Sequence, residues 1–176
     1  GLVVLLGGIA EGFVSQLTAL GANSGELTVS EAKAADLSFA AVDDKIGRWI
    51  ASQPAVESVS GMLFGVAAVP GAAYFLVLGV EPNSFAMKHY APLEGERIRA
   101  PRQVMLGKIA AKNYKKKVGD TLQVSGNAFR VVGIYETGTA YEDGSAVMAL
   151  SEAQTLLKRP NQVTFFFVKL SDTAQL

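Results

Sequence analysis

The alternation of apolar and polar positions is clearest between residues 103 and 138, QVMLGKIAAKNYKKKVGDTLQVSGNAFRVVGIYETG. Residues 104–106 are apolar and predict a short strand. Leu106, Ile109, Ala110, Asn113 and Tyr114 then recur near i, i+3, i+4, i+7 and i+8, the spacing of one helical face. Lys108 and Lys112 fall off that face. Lys115, Lys116 and Lys117 gather at its C-terminal end, where cations suit the helix dipole. Val118-Gly119-Asp120 predicts a turn into a strand over 121–124, and Gly126-Asn127 predicts the two-residue turn of a hairpin. The return strand over 129–136 carries apolar residues on both faces, as a strand buried on two sides does.

The rest of the chain is read the same way. Residues 1–10, GLVVLLGGIA, are apolar throughout, and Glu11 is the first charge. A bilayer span needs about 20 residues, and the stretch lacks the basic start of a signal peptide. A truncated membrane helix, a buried core helix and a buried strand all fit it. Phe13, Leu17 and Leu20, at i, i+4 and i+7, predict a one-sided helix leading out of it. Residues 26–30 predict a strand. Ser38 is a candidate cap for a helix whose apolar face is Val42, Ile46, Trp49 and Ile50, ended by Pro54. Residues 56–69 and 73–80 predict strands about the turn dipeptide Pro70-Gly71. Residues 82–89 predict a short helical turn and 92–101 a charged loop. Residues 138–144 (GTAYEDG) predict an exposed polar loop before a strand over 146–149. Ser151 and Gln154 have the S-x-x-Q spacing of a capping box opening a short helix, and 163–170 predicts a central strand.

The fold class is α+β, at a length sufficient for one domain or two small subdomains. Charged residues make up 18% of the chain, and 16 basic residues balance 16 acidic ones, which argues against a dedicated nucleic-acid surface. There is no cysteine, so disulfides, thiolate catalysis and cysteine-based zinc sites are excluded.

Candidate chemistry is thin. His89 is the single histidine and has no carboxylate within a helical turn of sequence, so it reads as a surface or interface residue. Asp43 and Asp44 diverge by about 100° on a helix and suit its N-terminus better than a shared metal ion. Glu94 and Glu96 flank Gly95 as solvated loop charges rather than a glycosidase pair. The run 115–117 fits a solvated helix end, anionic lipid headgroups or an acidic partner. No glycine-rich phosphate loop is present. Met62, Leu63, Phe64, Phe85 and Met87 lie near predicted strand ends and loops. They are core in one reading and a partner or cargo surface in the other. A small-ligand or enzymatic module would instead place Glu94, Arg97, Arg102 and Tyr141 around a pocket between two subdomains.

Five landmarks occur in order along the chain. They are "GGIAEGFVSQLTALGANSGELTVS", "VLGVEPNSF", "PLEGERI", "VMLGKIAAKNYKKKVGDTLQV" and "FRVVGIYETG". As an ordered set they resemble the periplasmic core domain of ABC-transporter permeases of the MacB/LolC/FtsX type. The resemblance implies a porter-like β-α-β subdomain over 26–91 and 146–176, carrying an inserted, mainly β, sabre-like subdomain with one short helix over 92–145. Residues 1–20 would be the end of a membrane or stalk helix, with Phe13, Leu17 and Leu20 on its coupling face. It implies a non-catalytic extracytoplasmic domain at the inner membrane, with no catalytic, cofactor or metal residues. Its partners would be a cytosolic ABC ATPase subunit, a second permease copy in a dimer, and a periplasmic protein, lipid or small-molecule cargo.

Overall fold

The computed structural model describes residues 15–19, 26–31 and 42–171. Two units divide the chain, Gly1–Met62 with Asn161–Leu176, and Leu63–Pro160. The porter and sabre boundaries expected from sequence cut the chain at different points.

In the first unit, β1 (Ser15–Ala19) pairs antiparallel with β2 (Glu26–Glu31), placing Leu17 opposite Val29. The helix predicted over 13–20 is therefore a strand across its described part, while Phe13 and Leu20 lie outside the described residues. Three apolar residues at helical spacing are a weak prior against a ladder of paired backbone groups. β3 (Val42–Asp43) leads into α1 (Asp44–Ala51), and Asp43 Oδ1 accepts the Lys45 N–H at 2.8 Å. The cap of this helix is thus Asp43; Ser38 lies outside the described residues, and Val42 belongs to the strand. Shortening the helix moves its buried face to Gly47 and Ile50 and leaves Trp49 42% exposed. The Phe166 ring explains the glycine, because a Cβ on Gly47 would stand 2.6 Å from it. β11 (Gln162–Val163) pairs with β3, and β12 (Phe165–Leu170) lies antiparallel between β2 and the first half of β4 (Val56–Val69).

The second unit begins with the remainder of β4, which turns at Pro70-Gly71 into β5 (Ala72–Val80). Proline's fixed φ followed by Gly71 at φ 92° suits a type II turn. The predicted helical turn is a 3₁₀ helix, Phe85–Tyr90. β6 (Pro92–Gly95), β7 (Gln103–Gly107), α2 (Lys108–Asn113), β8 (Thr121–Val124) and β9 (Asn127–Tyr135) follow. α3 (Ala140–Asp143), β10 (Ala146–Ala149) and α4 (Leu150–Leu156) complete it. β10 runs parallel to β5 and antiparallel to β7, and β7 runs parallel to β9. β6 pairs with the C-terminal half of β9 and β8 with its N-terminal half. Central β7 and β10 are sealed, with Val104, Met105, Val147 and Met148 at 0% exposure, which is why their sequences are apolar on both faces.

Three local expectations shift. Ser125 (φ 48°) and Gly126 (φ 78°) form the hairpin turn, and Val124 pairs with Asn127. Positive φ at both central residues suits the type I′ geometry that matches strand twist, so the turn falls one residue before Gly126-Asn127. At α4 the cap is Ala149, with no side-chain cap bond, and Ser151 lies within the first turn. β10 runs directly into the helix and fixes its start, so S-x-x-Q does not act as a capping box. Residues 138–144 are not an exposed loop throughout, because they contain α3 with two buried carboxylates.

Candidate functional site: a buried acidic cluster and the exposed apolar positions

α3 is short, and its last two residues, Glu142 and Asp143, are 7% and 5% exposed. Burying charge is costly unless every oxygen finds a donor, and here each does. Glu142 Oε1 accepts the Thr139 hydroxyl at 2.6 Å, and its Oε2 accepts His89 Nε2 at 3.0 Å. The Tyr90 hydroxyl lies near this carboxylate and interacts with it as well. Asp143 Oδ1 accepts the Thr137 N–H at 2.6 Å and its hydroxyl at 3.0 Å, while Oδ2 accepts the Gly138 N–H at 3.0 Å. The Tyr135 hydroxyl reaches the carbonyls of Glu142 (2.7 Å) and Ser145 (3.2 Å), and its ring meets that of Tyr90 edge-on at 5.2 Å.

The titration behaviour follows from this geometry. Burial pushes the Glu142 carboxyl up, but hydrogen bonds from Thr139, Tyr90 and His89 outweigh it and hold it below its ordinary value of 4.5. For Asp143 burial is again the largest effect and is again outweighed, by the Thr137 and Gly138 donors, so it sits below its ordinary 3.8. Burial raises the Tyr90 and Tyr135 hydroxyls well above the tyrosine range; the neighbouring Glu142 carboxylate adds to this at Tyr90, and the Ser145 side chain opposes it at Tyr135. An acid–base catalyst needs a carboxyl poised near the working pH with a free lone pair. These carboxylates are held ionised with their oxygens engaged. The cluster is a clasp that fastens residues 137–139 to the 3₁₀ helix and to the end of β9.

Gly107 sits under the same clasp. A Cβ there would stand 2.2 Å from the Asp143 carbonyl oxygen, and the Gly107 N–H donates to the Ser145 carbonyl at 2.9 Å. Sequence reasoning missed the site, because His89 and Glu142 are 53 positions apart. One local signal was available, the T-x-x-E spacing of Thr139 and Glu142, a helix-start signature.

The other candidates disperse. Met62, Leu63 and Met87 are core residues at 3%, 0% and 3% exposure, while Phe64 and Phe85 are half-buried. Phe64 rests 6.4 Å from Tyr141, ring to ring. Exposed large apolar residues are instead Trp49, Val66, Tyr74, Leu93, Ile109, Val118 and Tyr141. Arg97 lines a cleft of about 380 Å³ with Ile98, Arg99 and Glu152, and Arg102 lines a second cleft with Phe129 and Lys158. Glu94 and Tyr141 line neither of these clefts. Among the described residues no three His, Cys, Asp or Glu side chains are grouped to hold a metal ion, and no helix is long and apolar enough to cross a membrane.

This α+β arrangement is found in the extracytoplasmic parts of transporters. It is similar to the crystal structure of the periplasmic region of MacB from Actinobacillus actinomycetemcomitans, with TM-score 0.60 and 16% identity over 76% of this chain and 67% of that one. It is also similar to the extracellular domain of the noncanonic ABC-type transporter YknZ from Gram-positive bacteria, with TM-score 0.61 and 12% identity over 76% of this chain and 75% of that one. No curated protein sequence matches the chain. The model of the MacB-like periplasmic core domain family matches residues 1–176, and the chain belongs to that family.

Proposed function

We propose that the chain transmits ATP-driven motion, as the extracytoplasmic domain of an ABC-transporter permease subunit, to a cargo or partner outside the cytoplasmic membrane, without catalysing a reaction itself. The observation that carries this reading is the family match along the whole chain, joined to the fold shared with two transporter domains. A cytosolic ABC ATPase subunit would drive the membrane part of the parent protein, and a second permease copy would complete a dimer. The cargo would be a periplasmic protein, a lipid or a small molecule.

Coupling needs stiff elements connected to the moving part. β1 follows the apolar residues 1–10 closely in sequence and is hydrogen-bonded to β2, which is bonded to β12 and through it to β4. We assign the coupling role to this ladder, with Phe13, Leu17 and Leu20 at and around its first strand. Of the apolar positions proposed for cargo contact, Phe64 and Phe85 retain the part. Met62, Leu63 and Met87 are core residues. In the parent transporter, Gln16→Pro places a residue without an N–H in β1, opposite Ser30. The expected outcome is ATP hydrolysis without transport, with the domain still folded by circular dichroism. Unchanged transport would refute the coupling role.

A further inference from the structure

The lysine run after α2 is not absorbed by the transport reading, and its geometry is unusual. The Lys116 N–H donates to the Ala111 carbonyl (2.9 Å) and the Lys115 N–H to that of Lys112 (3.3 Å), the paired bonds of a Schellman helix end. Lys115 occupies the left-handed position of that motif at φ 52°, where glycine is the usual residue. The turn beyond is pinned as well. Asp120 Oδ2 accepts the Lys117 N–H at 3.0 Å, and the Gly119 N–H donates to the Val131 carbonyl at 2.8 Å. Lys112, Lys115 and Lys117 are exposed and Lys116 is half-buried. The chain around them is bounded by two exposed apolar residues, Ile109 (40%) and Val118 (38%).

No acidic side chain among the described residues forms an ion pair with any of these four lysines. Glu136 is paired with Lys108, Asp120 is engaged by the turn backbone, and Glu94 and Glu96 are in no ion pair. The chain as a whole carries no net charge, so attraction for an anion is local to this turn. Its composition discriminates between kinds of anionic surface. Protein interfaces favour arginine and aromatic anchors and are poor in lysine. Flexible point charges beside exposed aliphatic side chains suit a plane of lipid headgroups.

We propose that the turn formed by Lys112, Lys115, Lys116 and Lys117, with Ile109 and Val118, is a docking surface for an anionic phospholipid bilayer. This proposal stands apart from the coupling role and does not depend on it. The test is flotation of the 176-residue chain with phosphatidylglycerol-containing vesicles and with pure phosphatidylcholine vesicles, the latter giving the baseline due to its apolar first residues. Wild type should bind the anionic vesicles more tightly, and added salt should remove the difference. Each lysine replaced by glutamine should weaken the anionic binding by about fivefold, and replacing all four should return it to baseline. Lys115→Gly serves as a folded control, since glycine suits that backbone conformation. It should raise the unfolding midpoint and still weaken vesicle binding. Equal binding to both vesicle types, or anionic binding that survives the fourfold replacement, would overturn the proposal. So would binding of soluble polyglutamate as tight as that of the vesicles and indifferent to Ile109→Ser and Val118→Ser, which would identify an acidic polypeptide as the occupant.

Discussion

Gly107 shows how one missing side chain positions a site. The end of β7 and the carbonyl of Asp143 approach so closely that a methyl group would require one backbone to move. Gly107→Ala should therefore cost about 1–3 kcal/mol, the usual range for overpacking, read as a lower urea midpoint. The two carboxylates beside it make a prediction in pH. Both are depressed in the folded chain, so their contribution is complete above their ordinary values of 4.5 and 3.8 and is lost as the pH falls through the lower folded values. Asp143→Asn keeps the shape but replaces one acceptor oxygen with an NH2 donor facing the Thr137 and Gly138 donors, a loss of about 1–3 kcal/mol near neutral pH. Urea midpoints measured down the acid range should show wild type and variant converging. A gap that stays constant into strong acid would show that the charge is not what holds the clasp.

At the scale of elements, turn chemistry decides where chain pattern and structure part. Ser125-Gly126 is the one tight turn here with a non-glycine residue at positive φ ahead of its glycine, among the hairpins just described. Asn-Gly is the preferred pair for type I′ geometry, so Ser125→Asn should stabilise by a few tenths to about 1 kcal/mol. Thermal unfolding checks this, and a lower midpoint would argue against the turn type. Strands β4 and β5 were legible because they flank the turn dipeptide Pro70-Gly71, and β9 and β12 because stretches apolar on both faces mark strands buried on two sides. The hairpin was placed to within one residue, since glycine fixes the neighbourhood of a turn but not which side of it the partner occupies. β1 was misread as a helix because Phe13, Leu17 and Leu20 satisfy a helical spacing, while its pairing with β2 is invisible locally. The acidic clasp was illegible for the same reason at greater range. His89, Tyr90 and Glu142 meet through folding, so GTAYEDG, taken alone, looks like solvated loop.

At the scale of the whole molecule, the ordered landmarks carried more than any single residue. They pointed to the family that the full-length match shows, although each is built of common residues. The glycine of "VMLGKIA" gains a physical reason in the contact between Gly107 and Asp143. Transport function is tested at this scale too, because only a parent protein with its ATPase can report whether a strand substitution disconnects hydrolysis from movement.

The strand order has a further consequence, for the sequence of events during synthesis. In the second unit β10 lies between β5 and β7, and in the first β12 lies between β2 and β4, yet each is made after both of its neighbours. Neither set of strands can close while the ribosome is still upstream, so nascent β5 and β7 wait with open edges for their shared neighbour. Such long-range closure is slow and exposes the chain to mispairing. A nascent chain halted before Ala146 should be cleaved readily by protease throughout residues 63–145, and one that has cleared Ala149 and α4 should begin to resist. Early resistance would mean that β5 and β7 find a provisional partner first.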